Sequence, residues 1–256
     1  MIKSIISIFL ISFFFQSCKG PVIKKKPVAA NNQPVYVIVH GAWGGSWAFK
    51  KTDSLLTAKG CLVYRPSLSG QGERVHLASK EIGLKTHITD VVNTILYEDL
   101  HDVILVGHSY GGMVVTGVAD SIPDRIRKII YLDAFVPKDG ESVKDLRNEK
   151  WDWFEKMNKD GFLYPQWLKP GQIPGDVPHP LKTLTDPITL KNPKAAKIPG
   201  VYILTVDKGK KPEEDDFGSQ AERAKQKGWP VLILEADHNP QWSEVNKLAE
   251  MLYQNK

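Results

Sequence analysis

What this chain can fold into is set first by a series of short apolar, largely β-branched runs. They cover residues 35–39, 103–106, 129–132, 201–204 and 231–234, with 61–64 as a sixth. Uninterrupted apolar runs of this length suit strands covered on both faces, the condition of a parallel sheet flanked by helices. The gaps between them leave room for helices, and two stretches read as such. Ile88, Val91, Val92, Ile95 and Leu96 recur at helical spacing, with Thr86 as a cap, and Val245, Leu248, Ala249 and Leu252 repeat the pattern near the C-terminus. This alternation predicts an α/β fold: a mostly parallel sheet with helices on both faces. The rhythm fails across residues 137–199, which hold no strand-like run but many prolines, together with Trp151, Trp153, Phe154, Tyr164 and Trp167. A structureless loop of that length does not suit a compact domain. The segment is expected to be a partly helical cap inserted into a core made of residues 34–136 and 200–256, its aromatic residues packing the cap or lining a pocket beneath it.

The run at 103–106 leads directly into Gly107-His108-Ser109-Tyr110-Gly111-Gly112, and a helix-compatible stretch follows. Gly-x-Ser-x-Gly between a strand and a helix is the context of a nucleophile elbow, a turn so sharp that its flanking positions tolerate little beyond glycine. Ser109 is the expected nucleophile. Its hydroxyl needs a base to take the proton, and in this arrangement the chain order is serine, acid, histidine. His238 follows the last strand-like run, and beyond His179 no other histidine remains, so His238 is the expected base. Two aspartates end strand-like runs between Ser109 and His238. Asp207, one strand before the histidine, is the expected acid; Asp133 is its rival, because some hydrolases of this kind take the acid from the earlier strand. The glycine-rich turn His40-Gly41-Ala42-Trp43-Gly44-Gly45 follows the first run, where small residues let backbone approach a substrate oxygen. The amides of Ala42 and Tyr110 are the expected oxyanion donors.

The formal charge of +5 is a property of one end of the chain. Lys3, Lys19, Lys24, Lys25 and Lys26 precede Pro27 with no acidic residue among them, which leaves the remainder neutral. That balance argues against a nucleic-acid partner, which would need a basic surface on the body itself. Residues 1–17 read as a signal peptide: a short positive start, then an apolar stretch too short to span a bilayer, ending at Phe15-Gln16-Ser17-Cys18. The ending resembles a bacterial lipoprotein signal, with Cys18 as the lipidation site, although Phe15 stands where an aliphatic residue is usual; an ordinary secretory signal is the alternative. Residues 18–33, rich in lysine, proline, alanine and asparagine, read as a flexible tether. The expected location is outside the cytoplasm, with the lipid as the only membrane contact. Cys61, in an apolar run, is expected in the core. No His/Asp cluster stands at metal-ligand spacing.

Taken together, the turn at 40–47, Pro66-Ser67-Leu68-Ser69-Gly70-Gln71-Gly72-Glu73-Arg74, the elbow at 107–112, Tyr131-Leu132-Asp133-Ala134-Phe135-Val136-Pro137 and Asp237-His238 carry a resemblance. They resemble bacterial esterases of the α/β-hydrolase superfamily, the group of pyrethroid-hydrolysing carboxylesterases, related to plant methylesterases, salicylate-binding esterases and hydroxynitrile lyases. The resemblance implies a cofactor-free Ser-His-Asp hydrolase acting on a small-molecule ester in a capped hydrophobic pocket. It also implies that Thr205-Val206-Asp207-Lys208-Gly209 bears the acid. Hydroxynitrile lyases of the group have threonine after the first histidine and lysine after the catalytic one; Gly41 and Asn239 stand at those positions here and favour ester hydrolysis. Carbon–carbon lyase action and a non-catalytic ligand-binding role are the alternatives.

Overall fold

Strands buried on both faces need helices above and below them, and the computed structural model, which describes residues 33–256, is built that way. β1 (Val35–Val39), β2 (Leu62–Tyr64), β3 (Val103–His108) and β4 (Ile126–Leu132) are followed, after the inserted segment, by β8 (Gly200–Val206) and β9 (Val231–Glu235). All six runs are strands of one parallel sheet in the order β2-β1-β3-β4-β8-β9. The four central strands are almost wholly buried. β2 and β9 lie at the edges, which is why Leu62 and Ile233 stay exposed within apolar runs. Expectations for residues 1–17, for Cys18 and for nearly all of the 18–33 tether lie outside the described residues; Cys61 is a buried free thiol.

α1 (Lys50–Ala58) and α9 (Val245–Gln254) cover one face, closing a core around Tyr36, Ile38, Ile104, Leu56, Leu248 and Leu252. The Tyr36 hydroxyl donates to the Leu252 carbonyl at 2.8 Å, so the one polar atom of that ring is satisfied in the core. α2 (Leu84–Tyr97), α3 (Gly111–Ser121) and α7 (Gly218–Gln226) cover the other face. α2 begins two residues before the expected cap. Gly83 occupies the N-cap, and Thr86 lies inside the first turn because buried Leu84 extends the apolar stripe backwards.

Residues 137–199 contain the short helices α4 (Val143–Arg147), α5 (Trp151–Glu155) and α6 (Lys182–Thr185). They also contain a three-stranded antiparallel sheet of β5 (Asn158–Lys159), β6 (Phe162–Leu163) and β7 (His179–Pro180), where no strand was expected. Two-residue strands are too short to carry alternation, so they leave no periodic signal. Trp151 and Phe154 are buried, whereas Trp153 and Trp167 are about half exposed.

Candidate active site

The elbow is built by close approach of backbone. A Cβ at Gly107 would lie 2.7 Å from the Gly111 carbonyl oxygen, and one at Gly111 would lie 2.7 Å from that of Val39. Between them Ser109 adopts φ of +55°, a left-handed conformation that costs a non-glycine residue about 1–2 kcal/mol. The turn is held from both sides: the Ser109 amide donates to the Leu132 carbonyl at 3.2 Å, and its carbonyl accepts from the amides of Gly112 (3.0 Å) and Phe135 (3.2 Å). The hydroxyl is thereby presented above the C-terminal end of β3, where parallel α/β sheets bind ligands.

His238 lies between β9 and α8 (Pro240–Ser243) and brings Nε2 to 3.0 Å from Ser109 Oγ. Its Nδ1 lies 2.5 Å from Asp133 Oδ2. Asp133 is 1% exposed, and its other oxygen accepts from the Thr205 amide at 3.1 Å. Acceptance by a carboxylate fixes the tautomer, with the proton on Nδ1 and Nε2 free to accept from serine. Phe217 stacks on the imidazole at 4.9 Å and 9°, and the buried His108 donates from Nε2 to the His238 carbonyl at 2.8 Å. Burial pushes His108 down to about 3, so it stays a neutral strut.

The structure does not bring the expected acid to the histidine. The Asp207 side chain is 48% exposed and pairs with Lys210 at 2.7 Å, while the histidine contact is made by Asp133. Burial and pairing supply the reason. Asp133, just after β4, is buried and held by the Thr205 amide, whereas Asp207, just after β8, pairs with Lys210 at the surface. Asp133 itself takes φ of +44°, turning its carboxylate inward.

Ala42 and Tyr110 both line the same cavity as Ser109 and His238, a space of about 900 Å³. Among the described residues neither amide donates to a protein acceptor. The neighbouring Trp43, at φ of +63°, is held by the insertion in three places. Its amide donates to His179 Nδ1 (3.2 Å), its indole to the Leu163 carbonyl (3.1 Å), and its carbonyl accepts from Val177 (2.9 Å). His179 is braced in turn by Thr183, whose hydroxyl lies 2.7 Å from Nε2 and donates to the Pro180 carbonyl at 2.8 Å. Gln71 packs its side-chain oxygen 3.0 Å from Nδ1. Burial holds His179 well below the ordinary histidine range. Tyr110 is anchored by its hydroxyl, 2.9 Å from His87 Nδ1, and His87 donates from Nε2 to the Ser69 carbonyl at 3.0 Å. Sequence reasoning passed over His87 and His179 because no pattern marks a histidine that will meet its partner across the fold. Trp43, Phe154, Trp153, Trp167, Phe135 and Leu184 give the cavity a largely apolar wall.

A model of an alpha/beta hydrolase family matches residues 36–250. A carbendazim hydrolyzing esterase from a Nocardioides strain is 37% identical over 238 residues, covering 85% of this chain and 97% of that enzyme. A pyrethroid hydrolase from Sphingobium wenxiniae is 26% identical over 247 residues, covering 84% of this chain and 85% of its own. Among solved structures, an extracellular alpha/beta-hydrolase from a Paenibacillus species superimposes with a TM-score of 0.73 at 26% identity. It covers 86% of this chain and 98% of that one, and is described as sharing structural and functional homology with tobacco salicylic acid binding protein 2. The chain belongs to the alpha/beta hydrolase family and is a hydrolase of the carboxylesterase type.

Proposed function

We propose that Ser109, His238 and Asp133 act as nucleophile, base and acid in the hydrolysis of small, largely apolar carboxylic esters through an acyl-enzyme. The unbroken line from Ser109 Oγ through the imidazole to Asp133 Oδ2, at 3.0 and 2.5 Å, carries the reading. Ser109 attacks the ester carbonyl as His238 Nε2 takes its proton, and Asp133 stabilises the resulting imidazolium. The Ala42 and Tyr110 amides receive the oxyanion, and His238 returns the proton to the departing alcohol. A water activated by the same nitrogen then attacks the acyl carbon, and Ser109 leaves with its proton restored. Gly41 supports hydrolysis over lyase action. A Cβ there would stand 3.0 Å from Ser109 Cβ and 3.1 Å from His108 Nδ1, so the threonine of the lyases would crowd the nucleophile.

Ser109→Ala is expected to lower kcat on a short-chain nitrophenyl ester by about 10⁵-fold or more, the scale on which triad serines act. Circular dichroism should be unchanged; turnover near wild type would overturn the reading. We further propose, on the sequence pattern at 1–18, that the protein is exported and anchored by lipid at Cys18. Cys18→Ser should abolish incorporation of labelled fatty acid in a bacterial host, and equal labelling of both proteins would refute the anchor.

A further inference from the structure

Arg147 closes α4 and turns its guanidinium into the active-site cavity. The group lies over two rings, 5.0 Å from the centre of Phe135 and 4.6 Å from that of Phe217, the ring stacked on His238. Arg147 is therefore two stacking layers from the proposed base. Its Nε is buried without a hydrogen-bond partner, and among the described residues no acceptor or carboxylate pairs with any of its nitrogens. The other two cations of the cavity wall are matched: Lys150 with Asp216 at 2.5 Å and Lys210 with Asp207 at 2.7 Å. The carboxylates that act on Arg147 from a distance are already engaged. Asp133 holds His238 and the Thr205 amide, Asp215 accepts from the Phe217 amide, and Asp216 holds Lys150. Ring stacking satisfies the faces of a guanidinium but leaves the N–H groups on its edge without acceptors. Arg147 is partly buried, and an Nε shut away from water with no acceptor is costly unless a ligand completes it.

We propose that Arg147 is a substrate-recognition residue. It donates from its edge to a neutral planar acceptor, such as a carbonyl, a carbamate oxygen or a ring nitrogen, carried by the ester beyond its scissile group. The proposal rests on the ester-hydrolase reading above and names the substrate class for that site. Neutrality follows from the wall, on which eight carboxyl groups face three cations. An anionic group would enter a space already in negative excess, whereas a neutral acceptor satisfies the N–H groups without adding charge. The fork is flat and rigid, and a planar acceptor in line with the two flanking rings matches it.

The test uses matched esters that differ only in the acceptor. Methyl levulinate and methyl pentanoate place a ketone or a methylene in the acyl chain, and monomethyl succinate places a carboxylate there. Acetonyl acetate and propyl acetate make the same ketone-to-methylene change in the alcohol. Within each protein the ketone-to-alkyl ratio of kcat/KM is measured, so that general losses and intrinsic reactivity cancel between proteins. In at least one series Arg147→Met is expected to lower that ratio about tenfold, the discrimination a hydrogen bond to a charged donor supplies. The wild type is expected to use monomethyl succinate less well than methyl levulinate. Arg147→Lys keeps the charge and stem but loses the fork; it should lower the same ratio and gives the answer if the methionine variant does not fold. Ratios unchanged in both series, or a wild-type preference for the succinate, would overturn the proposal. Failure of folded wild-type protein to cleave any of these esters would instead remove the ester-hydrolase reading on which it stands.

Discussion

At the scale of single residues, the proposed acid is the position where two similar side chains compete and packing separates them. A carboxylate orients an imidazole effectively only if it is itself fixed and shielded from water, and Asp133 is both. It is fully buried, holds the Thr205 amide with one oxygen and faces His238 with the other. Asp207 lies near half exposure with a lysine partner, a pair worth little at a surface. Asp133→Asn should therefore lower kcat on a nitrophenyl ester by about 10⁴-fold, the scale seen when a triad aspartate is neutralised. Asp207→Asn should stay near wild type, and side-by-side steady-state kinetics of the two variants checks the assignment. That Ser109 and His238 would meet was legible in the sequence because each is singled out locally, the first by flanking glycines and the second by its place after the last strand. Which carboxylate would meet His238 was not. Asp133 and Asp207 both follow apolar runs, and what separates them is burial and the partner each side chain meets across the fold, which no local pattern records.

At the scale of elements, the central strands declared themselves because burial on both faces writes an uninterrupted apolar run. The elements inside the insertion did not, because its two-residue strands and one-turn helices are too short to carry a periodicity of their own. The insertion's contacts to the core have a catalytic expectation attached. The Trp43 amide is pinned by His179, and the adjacent Ala42 amide is the proposed oxyanion donor. A hole works by being set before the charge develops, and displacement of a positioning group by about 1 Å can cost about 10²-fold. His179→Ala is thus expected to lower kcat roughly 10- to 100-fold with little change in KM, because the support is felt most in the transition state. His179→Gln, which restores a side-chain acceptor, should recover part of the loss. Equal changes in kcat and KM across an ester series would point instead to a reshaped pocket.

At the scale of the whole molecule, the buried histidines tie stability to pH. Burial pushes His40 down to about 4, and His87 and His108 to about 3, against an ordinary value of 6.5. Because the folded chain resists protonating them, the unfolded chain binds more protons below that ordinary value. Stability is accordingly complete above about pH 6.5 and is lost as the pH falls towards the folded values. At about pH 5 each of the three is expected to cost on the order of 2 kcal/mol. Guanidinium midpoints should drop clearly between about pH 8 and pH 5, and replacing His87 with Gln should flatten the dependence. A midpoint constant across that range would contradict this account. The same large-scale view bears on how such an enzyme can be diversified. Because Leu163, Val177 and His179 hold Trp43, residues 42–43 and 163–179 form one unit of exchange. A chimera that borrows a relative's insertion to widen substrate range would keep the proposed nucleophile and base, yet leave the proposed oxyanion loop slack unless those three anchors travel with the graft.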